Sequence, residues 1–203
     1  RTKINANIGT SSDESDITDE LEKLKVSLEF GADTLMDLSI GGDIQEVRRC
    51  ILKESTVPIG TVPIYQAAHE AAKRKGSFLK MTADDMLAVI EEQAEDGVDF
   101  ITIHSGVTRK TVSLLKNSKR ILDIVSRGAA ILTSWMLHNK KENPLYECFD
   151  KILDIAYRYD ITLSLGDGLR PGSILDATDA AQLSELRLLG KLARRARKKN
   201  VQV

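Results

Sequence analysis

The chain contains 203 residues, 42% of them hydrophobic, and its acidic and basic side chains nearly cancel at a net charge of −1. This length supports one domain with a substantial core, and the balanced charge indicates neither nucleic acid nor an anionic membrane as a partner. No apolar stretch approaches the roughly 18 residues that span a membrane, and the opening residues resemble no signal peptide.

Apolar runs separated by glycine, proline and polar residues predict strands and helices that alternate along the chain. The predicted strands cover 4–8, 34–38, 58–64, 100–104, 121–126 and 161–165. The predicted helices cover 17–30, 44–54, 82–97, 109–116, 129–139, 144–159 and 180–199. A seventh strand is predicted to begin at Val201, so we expect the chain to be a segment of a larger protein.

Strand, loop and helix recur with a period of about 33 residues, and two of the joints repeat each other in sequence. Residues 31–39 (GADTLMDLS) match 97–105 (GVDFITIHS) in the glycine, the aspartate and the final serine. This pattern predicts an α/β fold of the (β/α)8 TIM-barrel type, here a partial barrel of about six βα units plus the start of strand seven. A doubly wound open sheet is the alternative, although no Gly-x-Gly-x-x-Gly fingerprint follows the first strand.

Polar and amphipathic residues concentrate where the predicted strands end, whereas the strand middles are Val, Ile and Leu. These residues are Asn5, Asn7, Met36, Asp37, Tyr65, His104, Ser105, Ser126, Arg127, Gly128, Asp167, Gly168, Leu169 and Arg170. The carboxyl ends of barrel strands meet on one face, so these residues are predicted to line one pocket for a phosphorylated small molecule. Structural roles are the alternative, with Asn5 as a satisfied buried amide and Met36 as core filler.

Two of these joints suit a phosphate. Ser126, Arg127 and Gly128 precede a predicted helix, where backbone N–H groups and a guanidinium together form an anion cradle. The loop 167–170 offers an aspartate, an arginine and free N–H donors on a glycine-rich backbone. The alternatives are an ordinary βα turn at 126–128 and an Asp167–Arg170 pair across its own loop.

Six segments at these joints closely resemble the phosphomethylpyrimidine synthase family of radical S-adenosylmethionine enzymes. They are 5–9 (NANIG), 36–43 (MDLSIGGD), 57–67 (VPIGTVPIYQA), 102–107 (TIHSGV), 124–128 (IVSRG) and 164–173 (SLGDGLRPGS). The resemblance implies a barrel that binds 5-aminoimidazole ribotide and rearranges it to 4-amino-5-hydroxymethyl-2-methylpyrimidine phosphate in thiamin biosynthesis. It also implies a [4Fe-4S] cluster that cleaves S-adenosylmethionine to a 5′-deoxyadenosyl radical, a divalent metal, an electron donor and a homodimer.

The resemblance places the substrate contacts on residues of this chain but assigns no catalytic residue. The contacts fall on Asn7, Met36, Tyr65, His104, Ser126, Arg127, Gly128, Asp167, Gly168, Leu169 and Arg170. We expect the 126–128 turn and Arg170 to bind the phosphate. We expect Asn7, Asp167 and His104 to orient the heterocycle and the ribose, and Met36 and Tyr65 to form apolar walls of the pocket.

The chain also departs from the family pattern. The family's cluster cysteines belong to a C-terminal region that we expect, like an N-terminal domain, to lie outside residues 1–203, and the chain also lacks the two metal-ligand histidines of the family. These residues alone are therefore expected to be inactive. Cys50 and Cys148 are predicted to be reduced thiols of a cytoplasmic protein. Ser105 and Ala129 replace an alanine and a second glycine of many members.

Three other functions stay open at this point. The same ribotide is the substrate of 5-hydroxybenzimidazole synthase, a close paralogue. A cluster-independent phosphate-binding barrel, a lyase or isomerase, would use His104 as acid and base. An isolated fragment would be a partial scaffold without activity.

Overall fold

The computed structural model describes residues 2–203, apart from the side chain of Asn117, and these residues form five β-strands and nine α-helices. The strands are β1 (Asn5–Ile8), β2 (Thr34–Asp37), β3 (Ile59–Thr61), β4 (Phe100–Ile103) and β5 (Thr162–Leu165). The helices are α1 (Ile17–Glu29), α2 (Ile44–Glu54), α3 (Pro63–Lys75), α4 (Ala83–Glu95), α5 (Arg109–Ser113), α6 (Arg127–Asn139), α7 (Pro144–Glu147), α8 (Phe149–Arg158) and α9 (Ala180–Lys198). Short 3₁₀ turns occur at Phe78–Lys80, Leu114–Asn117 and Ile174–Asp176.

The five strands form one sheet in the order β1-β2-β3-β4-β5, and every neighbouring pair is parallel. The predicted parallel α/β fold is therefore confirmed. Beyond α9, the Leu163 N–H donates to the Gln202 carbonyl at 2.9 Å, so the final residues run beside β5. Within residues 2–203, β1 and β5 are the two edges of the sheet.

The two repeated joints perform the same task in the fold. Gly31 and Gly97 have φ values of 82° and 92°, a left-handed conformation that glycine adopts without strain at the end of a helix. Two residues later, an aspartate carboxylate accepts an N–H at the start of the preceding strand, from the residue before β1 in one case and from the first residue of β3 in the other. Asp33 accepts from Ile4 at 2.9 Å, and Asp99 accepts from Ile59 at 2.7 Å. The sequence repeat is thus a repeated cap that sets strand register.

One face of the sheet lies beneath the helices, and the other is only partly covered. Alternate strand residues on the helix side are buried, namely Leu35, Ile59, Ile101 and Leu163. On the second face, Asn7, Met36, Gly60, Phe100 and Thr162 lie side by side in register. A Cβ on Gly60 would lie 2.1 Å from the Phe100 ring, so glycine lets this ring pack directly on the β3 backbone.

The prediction of a strand over residues 121–126 was wrong, because β4 pairs directly with β5 and leaves no place between them. The Ile121 and Leu122 N–H groups, which a strand would pair with a neighbour, donate instead to the Asp176 carboxylate at 2.7 and 2.9 Å. Residues 2–203 therefore contain five strands rather than the six predicted.

Smaller differences concern element boundaries and the cysteines. The third predicted strand ends early because Pro63 begins α3, a position that suits proline. The predicted helix over 144–159 is two helices that meet at Cys148. Cys50 and Cys148 are both free, half-buried thiols, as predicted. None of the helices in residues 2–203 is long and apolar enough to cross a membrane.

Candidate functional site

The candidate site lies at the carboxyl ends of β4 and β5, beside the first turn of α6. His104 follows β4 directly, Gly166 follows β5, and Ser126 is the N-cap residue of α6. His104 and Ser126 are buried, with 5% and 2% of their surfaces exposed. Carboxyl ends of parallel strands are where ligands meet this class of fold, so the location agrees with the sequence analysis.

The His104 imidazole is held between two glycines. Its Nε2 lies 3.2 Å from the Ser126 hydroxyl, while its Nδ1 is buried without a hydrogen-bond partner among the described residues. A Cβ on Gly128 would lie 2.4 Å from the ring Cε1, and one on Gly166 would lie 3.1 Å from Cδ2. The ring therefore packs directly on backbone at both positions, which accounts for the glycines next to Arg127 and Asp167.

The environment of His104 makes it a neutral side chain. Burial, and secondarily the charge of Arg170, lower the pKa of His104 to about 4. Near neutral pH the ring carries one N–H proton, so one nitrogen can donate and the other can accept a hydrogen bond, but the ring brings no positive charge. A base with this pKa is poorly matched to proton abstraction at neutral pH, because general acid–base catalysis is most efficient when the pKa lies near the working pH.

The first turn of α6 offers positive potential. The Ser126 hydroxyl accepts the Ala129 N–H at 3.3 Å, and the first turn contains no acidic residue. The exposed Arg127 guanidinium lies 5.3 Å from the centre of the Tyr65 ring and has no ion pair with a described residue. A helix N-terminus with an unpaired guanidinium beside it favours an anion.

Arg170 contributes a second cation to the same region. Its Nη1 donates to the Asp167 carbonyl at 3.2 Å and lies 3.8 Å from the Asp167 carboxylate, with both side chains substantially exposed. The pairing weighed in the sequence analysis therefore exists, but it is long and open to solvent. The Arg170 charge also lowers the pKa of His104 and opposes the burial that raises the pKa of Tyr65. Arg170 thus acts on both sides of the site.

The expectation of free N–H donors in the 167–170 loop was wrong for Gly168, Leu169 and Arg170. The Arg170 N–H donates to the Asp167 carbonyl at 3.3 Å. The Gly168 and Leu169 N–H groups donate to the two carboxylate oxygens of Glu185 at 2.9 and 2.8 Å. Leu169 is fully buried, and a Cβ on Gly168 would lie 2.3 Å from the Val107 side chain. These residues set the shape of the loop from within.

Glu185 is a buried acid that the sequence analysis did not single out. Burial raises the pKa of Glu185 to about 7, against the lowering effect of the two N–H donors. It lies on α9 among the buried residues Ala181, Leu189, Leu192 and Ala196. A carboxylate inside the apolar stripe of a helix was the signal that could have identified it, because buried charges are rare unless they have partners.

Asn7 and Met36 do not join this cluster. They lie in register with each other on β1 and β2, so β2 and β3 separate Asn7 from β4 by roughly 14 Å at the usual spacing of strands. Asn7 is exposed and accepts the Asn5 amide at 2.9 Å. Asn5 itself is exposed rather than the buried amide considered above. The structure therefore brings Tyr65, His104, the 126–128 turn and the 167–170 loop together and leaves two of the predicted contacts on the same sheet face farther away.

These features define a parallel α/β chain with a candidate anion site at its strand ends. The sequence model of the radical SAM ThiC family matches residues 1–203, so the chain belongs to this family. The resemblance carried by the six strand-end segments is thereby confirmed.

Curated relatives agree with this assignment. A phosphomethylpyrimidine synthase of Moorella thermoacetica is 60% identical over 202 residues, which cover 100% of this chain and 47% of the relative. One from Thermodesulfovibrio yellowstonii is 60% identical over 192 residues, covering 95% of this chain and 45% of the relative. One from Dehalococcoides mccartyi is 56% identical over 202 residues, with 100% and 47% covered. The chain thus spans about half the length of the curated relatives it matches.

Proposed function

We propose that this chain forms the ribotide-binding part of a phosphomethylpyrimidine synthase. The full enzyme would convert 5-aminoimidazole ribotide to 4-amino-5-hydroxymethyl-2-methylpyrimidine phosphate in thiamin biosynthesis. The observation that carries the proposal is the convergence of His104, Ser126, Arg127 and Arg170 at the strand ends of a chain that belongs to the radical SAM ThiC family. The relatives reported above are named phosphomethylpyrimidine synthase, which supports the class of product in this proposal.

The proposal includes the closure of the sheet into a (β/α)8 barrel with further strands of the protein. Two observations support it. The second face of the sheet is only partly covered, as expected for the interior of a barrel that this chain lines in part. The Gln202 carbonyl already accepts the Leu163 N–H beside β5, which is how a next parallel strand would begin.

Each proposed contact has a chemical role. The first N–H groups of α6 and the guanidinium groups of Arg127 and Arg170 would bind the phosphate, since charge-assisted hydrogen bonds to phosphate are strong. Neutral His104, together with Asp167 and Asn7, would orient the heterocycle and the ribose. Apolar walls would come from Met36 and Tyr65, and Gly128 keeps the backbone close to the imidazole. Gly168 and Leu169 would act by shaping the loop that carries Arg170.

The cofactors of the family are a [4Fe-4S] cluster and S-adenosylmethionine, which when bound supply the radical. The described residues do not suit the cluster. Cys50 on α2 and Cys148 between α7 and α8 are fewer than the three thiolates that a cluster with one open iron requires. Within residues 2–203, no group of three or more His, Cys, Asp or Glu side chains could hold a metal ion. We therefore assign the cluster and the divalent metal to other parts of the protein. The proposal also includes an electron donor and a homodimer, as the family resemblance implies.

Two observations rank this function above its alternatives. The curated relatives reported above are all named phosphomethylpyrimidine synthase, which favours the pyrimidine over the hydroxybenzimidazole product. The low pKa of His104, about 4, disfavours a cluster-independent lyase that would use it as acid and base at neutral pH. Product analysis of the intact enzyme by mass spectrometry distinguishes these three candidate activities.

The phosphate site is tested by calorimetric titration of the full-length protein with 5-aminoimidazole ribotide. Arg170→Ala is expected to weaken binding by about 2 kcal/mol, because a charge-assisted contact to phosphate is lost. Arg158→Ala is the matched control, since Arg158 is also exposed, lies 5.8 Å from an aromatic ring and pairs with a carboxylate, Glu91, outside the candidate site. Equal affinity of wild type and Arg170→Ala would exclude the proposed role.

A further inference from the structure

Two loops that flank the candidate site are joined by buried ionic side chains. Residues 118–126 lead into the first turn of α6, and residues 166–179 connect β5 to α9. Neither loop contains a strand, yet both present backbone groups to buried charged residues. We call the four residues that make these contacts the loop clamp: Arg120, Asp176, Asp179 and Glu185.

Arg120 lies at the centre of the loop clamp. Its side chain is 1% exposed, and its Nε and Nη2 donate to the two carboxylate oxygens of Asp179 at 2.7 and 2.8 Å. The same Nη2 donates to the Leu169 carbonyl at 2.6 Å, and Nη1 donates to the Asp123 carbonyl at 3.1 Å. One guanidinium therefore connects its own loop, the 166–179 loop and the N-cap of α9.

Two buried acids complete the clamp. Asp176 is 3% exposed and accepts the N–H groups of Ile121 and Leu122, which gives the 118–126 loop a second link to the 166–179 loop. Glu185 accepts the N–H groups of Gly168 and Leu169. The Leu169 residue is thus held at both ends, by Glu185 at its N–H and by Arg120 at its carbonyl.

We propose that Arg120 is a positioning residue for substrate binding: it fixes the distance between Arg170 and the 126–128 turn. Arg170 follows the clamped Leu169 directly, and Arg120 lies in the short 118–126 loop that ends at Ser126. A rigid link between these loops would hold both phosphate-binding groups in place before the ligand arrives. Such preorganisation matters because a shift of about 1 Å can reduce the efficiency of a site by orders of magnitude. This inference rests on the function proposed above.

Arginine is required here for a geometric reason. The planar guanidinium reaches one carboxylate and two carbonyls in three directions, whereas a lysine ammonium is a compact point charge on a flexible stem. Arg120→Lys would keep the charge and much of the volume but lose the bidentate hydrogen bonds to Asp179 or the hydrogen bond to the Leu169 carbonyl. This substitution therefore separates positioning from charge.

The experiment uses the full-length protein, calorimetric titration with 5-aminoimidazole ribotide, urea unfolding and hydrogen exchange. Arg120→Lys is expected to weaken ribotide binding at least about tenfold and to speed exchange of the Gly168 and Leu169 amides. Arg48→Lys is the matched control, because Arg48 is also 1% exposed and bound to a buried aspartate, but in the helix layer. It is expected to lower stability and leave the ribotide affinity and both amides unchanged.

The inference is overturned if Arg120→Lys binds the ribotide like wild type, or if Arg48→Lys loses as much affinity. If wild type itself does not bind the ribotide, only the proposed function is contradicted. The loop clamp is then tested by hydrogen exchange alone, and unchanged exchange of the Gly168 and Leu169 amides in Arg120→Lys would overturn it. If Arg120→Lys does not fold, Asp179→Asn replaces it. Asparagine keeps the N-cap bond to Gln182 while weakening the ion pair, and the same losses are expected.

Discussion

Arg48 and Arg120 are two buried arginines that hold different parts of the molecule. Both side chains are 1% exposed, and each binds an aspartate. The other partners differ in kind. Arg48 reaches side chains on two further helices, whereas Arg120 reaches backbone carbonyls in two loops.

The Arg48 network belongs to the helix layer. From α2, its guanidinium donates to Gln66 on α3 at 2.7 Å, to Glu92 on α4 at 2.9 Å and to Asp96 at the end of α4 at 2.5 Å. Each of these partners is already placed by a helix that packs on the sheet. Of the Arg120 partners, only Asp179 lies at a long helix, whereas the Asp123 and Leu169 carbonyls belong to loops that contain no regular strand or long helix.

From this difference we expect the buried charge of Arg48 to affect mainly stability and that of Arg120 to affect mainly binding. Loss of Arg48 removes an interaction between elements that remain in place for other reasons. Loss of Arg120 releases loops that carry candidate binding residues. Burial alone does not distinguish these roles, whereas the identity of the partners does.

The largest expected effect is on the stability of Arg48→Ala. Removing Arg48 leaves the buried Asp96 carboxylate with only the exposed Arg49 and takes the same donor from Gln66 and Glu92, so the free energy of unfolding should fall by about 3–5 kcal/mol in urea titrations. Arg49→Ala is the control, since Arg49 binds the same aspartate but is 60% exposed, and it should cost less than about 1 kcal/mol. Equal losses would show that burial does not govern this network.

A smaller effect is expected for Gly128→Ala, which tests the packing of the His104 ring against the first turn of α6. The new Cβ would lie 2.4 Å from His104, so the ring must move, and we expect a loss of about 1–3 kcal/mol in stability together with weaker ribotide binding. The control is Gly190→Ala in α9, where the nearest atom is the Arg194 side chain at 3.9 Å. Alanine there should stabilise the helix by up to about 1 kcal/mol. An affinity unchanged by Gly128→Ala would place the ligand elsewhere.

The smallest expected effect is a pH dependence that belongs to the loop clamp. The pKa of Glu185 is raised from 4.5 to about 7, chiefly by burial, with Asp167 raising it further and Arg120 opposing. An acid with a raised folded-state pKa adds stability that is complete below pH 4.5 and disappears as the pH rises through about 7.

The measurement compares urea unfolding of wild type and Glu185→Gln between about pH 5 and 8. Relative to Glu185→Gln, wild type should lose on the order of 1 kcal/mol over this interval. The comparison removes the opposite contribution of His104, whose lowered pKa adds stability that is lost as the pH falls from 6.5 towards 4. Parallel pH profiles for the two proteins would contradict this account of Glu185.

Local sequence signals predicted most of the regular fold. Thr82 and Asp85 form the capping box that the pattern indicated, and α2 covers the predicted range Ile44–Glu54. The strand at 121–126 was mispredicted because Asp176, some fifty residues later, accepts the N–H groups that an apolar run would normally offer to a sheet. A partner so distant leaves no trace in a local pattern.

The candidate site likewise contains residues that local sequence signals indicated and residues that they did not. Position after a strand identified His104 and Arg170 as candidates, whereas Ser126 was predicted as the end of a strand over 121–126 that does not form. Arg120 was not predicted, because it stands beside Lys119 in a polar stretch that is typical of a solvent-exposed surface. Its importance depends on contacts that only the tertiary fold creates.

The central claim is that the ribotide phosphate binds where α6 begins, opposite Arg170. A crystal structure of the full-length protein with 5-aminoimidazole ribotide tests it most directly. The account predicts a phosphate within hydrogen-bond distance of the first N–H groups of α6 and of the Arg170 guanidinium, with the loop clamp as described. A phosphate at the far side of the sheet, beside Asn7 and Met36, with Arg170 still directed at Asp167, would contradict it.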